Sequence, residues 1–165
     1  MNFTKIFLII LFFYISVSKV VAFDIATNAP IPKILLPTIS GNTGIVDIQS
    51  HSQGKAYMIC FMFLGNRSSA AIINWYKDLL EKTDNNLNIY VIAMDKNLNT
   101  IPIQKFVGQK NLVILSDIEQ QIAKQMHVLI IPTTFLMTKT NLLYNIYIDF
   151  TPSTKEIIKE DLNHL

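Results

Sequence analysis

The 165-residue chain contains one cysteine, Cys60, five glycines and six prolines. A single thiol cannot close an intramolecular disulfide or build a metal site of the multi-cysteine kind, so packing alone must stabilise the fold. The three histidines, His51, His127 and His164, show neither the i, i+4 spacing nor the carboxylate companions of a zinc motif. No metal and no cofactor is therefore expected. So little glycine and proline excludes collagenous and low-complexity classes, and no internal repeat is present. Charged residues make up only 16% of the chain, against 50% hydrophobic residues. That composition, at this length, suits one globular domain with a sizeable core.

The first residues follow another grammar. Lys5 precedes an apolar run from Ile6 to Val17, then Val20-Val21-Ala22, in which Val20 and Ala22 suit the positions a signal peptidase reads. Residues 1–22 are thus expected to be a signal peptide, cut before Phe23. The apolar run is shorter than the roughly 20 residues that span a bilayer, and Ser16, Ser18 and Lys19 interrupt its end. An uncleaved anchor is the alternative, and the one route to a membrane. No cysteine stands at the cut, so a bacterial lipoprotein is not expected. Removing Lys5 and Lys19 leaves twelve basic against twelve acidic residues. With no basic stripe either, nucleic acid is not an expected partner. The expected location is the periplasm, or outside the cell.

Residues 23–32 carry Asn28, Pro30 and Pro32 and read as an irregular lead-in to a domain over residues 33–165. Ile34–Ile39 and Ile45–Ile48 read as two short strands around a turn at Ser40–Gly44. Tyr57–Leu64 is a near-continuous apolar run, as for a strand covered on both faces. Ser68–Lys82 places Ile72, Trp75, Tyr76, Leu79 and Leu80 at helical spacing, with Ser68 as the expected cap and Trp75 and Tyr76 as core. Leu87–Met94 and Leu112–Leu115 read as strands, and Ile101–Val107 and Asp117–Met126 as helices. Thr133–Thr138 and Leu142–Ile148 form a hairpin around Lys139-Thr140-Asn141. A last helix follows Pro152, with Ser153 or Thr154 as its expected cap. This order predicts an α/β fold, with a central mixed sheet, helices on both faces and an N-terminal β extension.

One segment is more specific. In Val128-Leu129-Ile130-Ile131-Pro132-Thr133-Thr134-Phe135-Leu136, a proline opens a strand and is followed by Thr-Thr-Phe-Leu. With the element order, it resembles the thioredoxin-like superfamily, most closely the exported redoxin-type thiol-disulfide oxidoreductases of bacterial cytochrome c maturation. The resemblance covers residues 33–163. It implies a thioredoxin-like fold, a cis bond at Ile131-Pro132 and free backbone groups there that hold a substrate polypeptide.

The same alignment puts Asn66-Arg67-Ser68-Ser69 where the family carries Cys-x-x-Cys. Dithiol exchange needs a thiolate nucleophile and a second, resolving thiol, and a serine hydroxyl replaces neither. Ile72 stands where closer relatives keep a glutamate that manages thiol protons. No catalytic residue is assigned; Asn66, Arg67, Ser68 and Ser69 are degenerate active-site positions.

Cys60, inside an apolar strand, reads as a buried small hydrophobe. The competing reading is a peroxidase or oxidoreductase acting through Cys60 or a partner's thiols, which requires an exposed, activated thiolate. Ser68 or Ser69 with His127 lacks the Gly-x-Ser-x-Gly elbow and orienting carboxylate of a hydrolase. Arg67 beside a helix start suits a small anion, but a solvated arginine is the default. Asn66-Arg67-Ser68 is formally a glycosylation sequon. The resulting expectation is an exported, redox-inactive protein that binds or assembles a polypeptide partner through Arg67, Ile130, Ile131 and Pro132.

Overall fold

The computed structural model of the protein describes residues 27–39, 44–83 and 86–165. The expected signal peptide and most of the expected turn at residues 40–44 lie outside the described residues.

The apolar run after Lys55 forms β3 (Ala56–Met62), which is buried on both faces. Its alternation divides the molecule. Tyr57, Ile59 and Phe61 face one apolar cluster, and Met58, Cys60 and Met62 face another. Such two-sided burial explains why the run shows no polar alternation. β3 is the centre of a five-stranded sheet with β4 (Leu87–Ala93), β5 (Leu112–Ser116), β6 (Thr133–Met137) and β7 (Leu143–Ile148), in the order β5-β4-β3-β6-β7. β3, β4 and β5 run parallel, whereas β6 and β7 are antiparallel additions.

One cluster holds α2 (Ser69–Lys82) and α4 (Pro152–Leu162) against the sheet through Ile72, Ile73, Tyr76, Leu79, Leu80 and Ile158. The opposite cluster holds Ile48 of α1 (Ile48–His51), and Ile122 and Ala123 of α3 (Gln121–Gln125). Helices therefore flank both faces. β1 (Leu35–Pro37) and β2 (Ile45–Asp47) make the separate antiparallel N-terminal pair, and β1 adds Leu36 to the second cluster. This is the thioredoxin-like fold.

Several local expectations need correction. Ser68 makes no side-chain capping bond. Its backbone is already helical, at φ −77° and ψ −16°, rather than in the extended conformation that aims a cap side chain at the next amides. The helix does not depend on it. Burying each of its large apolar side chains is worth about 1.5–3 kcal/mol, against about 1 kcal/mol for a cap. The last helix is capped by Thr151, whose Oγ1 accepts from the Thr154 amide at 3.2 Å, and not by Ser153 or Thr154; Pro152 is its first residue.

Residues 101–107 are not a continuous helix: a 3₁₀ turn at Leu98–Thr100 precedes them, and within them only Ile103–Lys105 forms a second, with Ile101 and Pro102 between the two. A proline there withholds an amide and keeps the residue before it out of the helical region. The helix expected from Asp117 starts only at Gln121, because Gln120 is left-handed at φ 55°. Asp117 acts from a distance, its carboxylate accepting from the amides of Gln121, Ile122 and Ala123. Within the described part of the lead-in, Pro30 bridges to Leu142, and the Asn28 amide donates to the Leu143 carbonyl at 2.8 Å. Tyr76 is fully buried, whereas Trp75 is half-buried against Phe150.

Candidate functional site

β3 and β6 are antiparallel neighbours with Phe61 opposite Thr133. The chain leaving β3 and the chain entering β6 are therefore at the same end of the sheet. This register brings residues 66–69 and residues 130–132, more than sixty positions apart in sequence, to one edge of the domain.

On the first side, Asn66, Arg67 and Ser68 are exposed and Ser69 is completely buried. The Ser69 hydroxyl donates to the Phe63 carbonyl at 2.6 Å, and its amide donates to the Asn66 carbonyl at 3.1 Å. The turn from the strand into α2 is closed by its own polar groups. Ser69 is thus committed to structure rather than poised as a nucleophile. His127 is exposed at the end of α3, with a left-handed backbone at φ 52°.

Asp95, just beyond β4, was not foreseen. Its carboxylate accepts from the Leu64 amide at 2.7 Å and the Gly65 amide at 3.0 Å, and so anchors the loop that presents Asn66 and Arg67. A Cβ at position 65 would lie 3.2 Å from the carboxylate oxygen, so a side chain there would have to push Asp95 back by a few tenths of an ångström. No local pattern marks Asp95, since the contact spans 31 and 30 residues of sequence.

On the second side, the Ile131-Pro132 peptide bond is cis. The Pro132 carbonyl accepts from the Asp149 amide at 3.0 Å, and the Thr133 hydroxyl donates to the Ile130 carbonyl at 2.5 Å. Ile131 is partly buried against the apolar cluster that contains Tyr57, Ile59 and Phe61. Leu129 and Ile130 do not: they are 79% and 55% exposed. Two adjacent large aliphatic side chains in solvent, beside the proline, form the most exposed apolar pair at this end. Leu129 was not singled out in the sequence, although its place in an unbroken apolar run just before the proline was the available clue.

Cys60 lies one layer below. It is wholly buried, opposite Thr134 across the β3–β6 pair. Burial pushes its thiol pKa up, and hydrogen bonds with Tyr76 and Thr134 offset this only in part. Tyr76 and Thr134 are themselves joined at 2.9 Å. The thiol is therefore held protonated and out of reach, the opposite of the environment that activates a cysteine. Among the described residues, no three His, Cys, Asp or Glu side chains gather as a metal site would require.

The arrangement is that of a thioredoxin-like domain with one cysteine, Cys60, and no Cys-x-x-Cys pair. Comparison with solved structures agrees on the fold. A protein of Chlorobium tepidum assigned as the thiol:disulfide interchange protein DsbE superposes with a TM-score of 0.72 at 17% identity, covering 84% of this chain and 96% of that one. The exposed lipoprotein thioredoxin Etrx1 of Streptococcus pneumoniae gives 0.61 at 17% identity, covering 81% and 100%. The reduced 2-Cys peroxiredoxin of Plasmodium vivax gives 0.65 at 15% identity, covering 84% and 97%. No protein-family model matches the sequence, and neither does any curated protein.

Proposed function

We propose that the protein is an exported, redox-inactive thioredoxin-fold protein that holds a polypeptide partner at the end of the sheet where Arg67 meets Ile130, Ile131 and Pro132. The observation that carries this reading is the unequal fate of the two halves of the site. Both sulfurs are missing from the helix start, where Ser69 is bonded to the Phe63 carbonyl. The proline side keeps its cis bond and leaves Leu129 and Ile130 in solvent. An extended chain laid there would exchange backbone hydrogen bonds, with apolar side chains against Ile130 and a carboxylate toward Arg67. Export is supported by the signal-like residues 1–22 and by the likeness to an exposed lipoprotein thioredoxin.

Thiol chemistry through Cys60 is the competing reading, since the structural neighbours include thiol-disulfide oxidoreductases and a peroxiredoxin. The burial of Cys60 weighs against it. Two measurements test the proposal together. Purified protein should leave insulin disulfides at the uncatalysed rate under dithiothreitol; turnover abolished by Cys60→Ser would establish the enzyme reading instead. A partner captured from the native envelope should bind at least about tenfold more weakly to Arg67→Glu and Ile131→Asp, and unchanged to Cys60→Ser. Capture indifferent to both groove variants would move the binding surface elsewhere.

A further inference from the structure

Leu129 and Ile130 stand in solvent although both are large and aliphatic, whereas Ile131 beside them is partly buried. Burial favours such side chains, so the backbone must keep this pair from folding in. The segment from Val128 to Pro132 is tied to the domain at three points. The Val128 amide donates to the Ala123 carbonyl in α3 at 2.8 Å, and the Pro132 carbonyl accepts from the Asp149 amide at 3.0 Å. Both of these join backbone to backbone and do not depend on side-chain chemistry. The third tie does. In the middle of the segment, the Ile130 carbonyl accepts from the Thr133 hydroxyl at 2.5 Å.

Thr133 is built to hold that carbonyl. It is the first residue of β6, opposite Phe61 in β3 and Ile148 in β7, and is 3% exposed. A strand paired on both sides therefore fixes the hydroxyl, which reaches back three residues to the loop. Pro132 has no amide to offer in its place. We infer that Thr133 is the positioning residue of the proposed partner site: its hydroxyl holds the Ile130 carbonyl against β6 and so keeps Leu129 and Ile130 turned outward. This rests on the reading of that end of the sheet as a partner site. Thr133 is buried and offers a partner no surface, so it acts through Ile130 and Leu129.

Nitrogen-15 relaxation on the purified full-length chain tests the tie without a partner. Thr133→Val keeps the shape of the side chain and removes the donor. In this variant the order parameters of the Leu129 and Ile130 amides are expected to fall below about 0.6, from about 0.85 in the wild type. Thr133→Ser keeps the hydroxyl and should keep the wild-type values; Thr133→Ala, which lacks it, decides the matter if Thr133→Val does not fold. A partner captured from the native envelope should bind about fivefold or more weakly to Thr133→Val and at wild-type strength to Thr133→Ser. In a Leu129→Ala/Ile130→Ala background, Thr133→Val should weaken capture little further, because the side chains it positions are gone. Unchanged order parameters in the folded variants, or an undiminished further loss in that background, would overturn the positioning role. Capture indifferent to Arg67→Glu and Ile131→Asp would instead remove the partner site on which it rests, a failure that leaves the relaxation result intact.

Discussion

The Ser69 hydroxyl and the Phe63 carbonyl, 2.6 Å apart, tie the first residue of α2 back to the chain leaving β3. The turn into the helix is closed by an internal hydrogen bond and carries no sulfur. That combination underlies the first prediction.

Restoring sulfur should restore chemistry. Asn66 is exposed and Ser69 buried at the start of a 14-residue helix, which suits an accessible nucleophile and a sheltered resolving thiol. The double variant Asn66→Cys/Ser69→Cys is expected to reduce insulin disulfides above background, with the attacking thiolate stabilised by the helix start. Background activity from a correctly folded double variant would show that the loop has diverged beyond the loss of its sulfurs.

Cys60 should be inert in the native state. With the side chain wholly buried and its pKa raised, a thiol reagent such as dithionitrobenzoate should react with less than about a tenth of the thiol in native protein, and with one full equivalent in guanidinium. Stoichiometric labelling of native protein would point instead to an accessible conformation.

Alkali should destabilise the fold. Burial raises the pKa of Cys60 and of Tyr57, Tyr76, Tyr90 and Tyr147, so the folded chain keeps protons that the unfolded chain releases. Stability therefore falls as pH rises past the unfolded values, beginning near 9.0 for the thiol and 10.0 for the phenols; in the folded state Tyr57 gives up its proton at about 12. Melting temperatures should hold to about pH 8 and decline progressively above about pH 9. In Cys60→Ser the earliest part of that decline should be lost.

Asp95 should govern the order of the site loop. Asp95→Ala leaves the Leu64 and Gly65 amides without their carboxylate partner, at a cost of about 2–3 kcal/mol in a urea titration. Exchange at those two amides should quicken more than exchange in β3. Partner capture should weaken in step with it, since the loop that carries Arg67 would lose its anchor at Leu64 and Gly65.

Removing one hydroxyl beneath the site should be costly without touching the groove. Tyr76→Phe breaks the 2.9 Å bond to Thr134 in a fully buried setting and is expected to lower stability by about 1–2 kcal/mol. Capture by the groove variants' wild-type parent and by Tyr76→Phe should be equal at temperatures where both are folded.

Periodicity and composition by themselves determined the order of the strands and of the two long helices, the two-sided burial of Tyr57–Leu64 and the absence of any thiol pair, because these depend on residue type at fixed spacing along one strand or helix; the short helix Ile48–His51, which begins inside the stretch read as strand, was not legible. The proline segment was legible for the same reason. Capping was not: whether Ser68 or Thr151 supplies a hydroxyl depends on backbone angles that residue type only biases, and Ser68 proved already helical. Nor was the extent of the helices around Pro102 and Gln120, where one missing amide and one left-handed residue outweighed the apolar pattern. Only the tertiary structure could decide that Asp95 holds the loop at Gly65, that Leu129 and Ile130 stay in solvent, and that Asn145 meets Asp161. Each depends on register between strands or on where a helix docks, and those are set by the packing of the whole sheet rather than by neighbours in sequence.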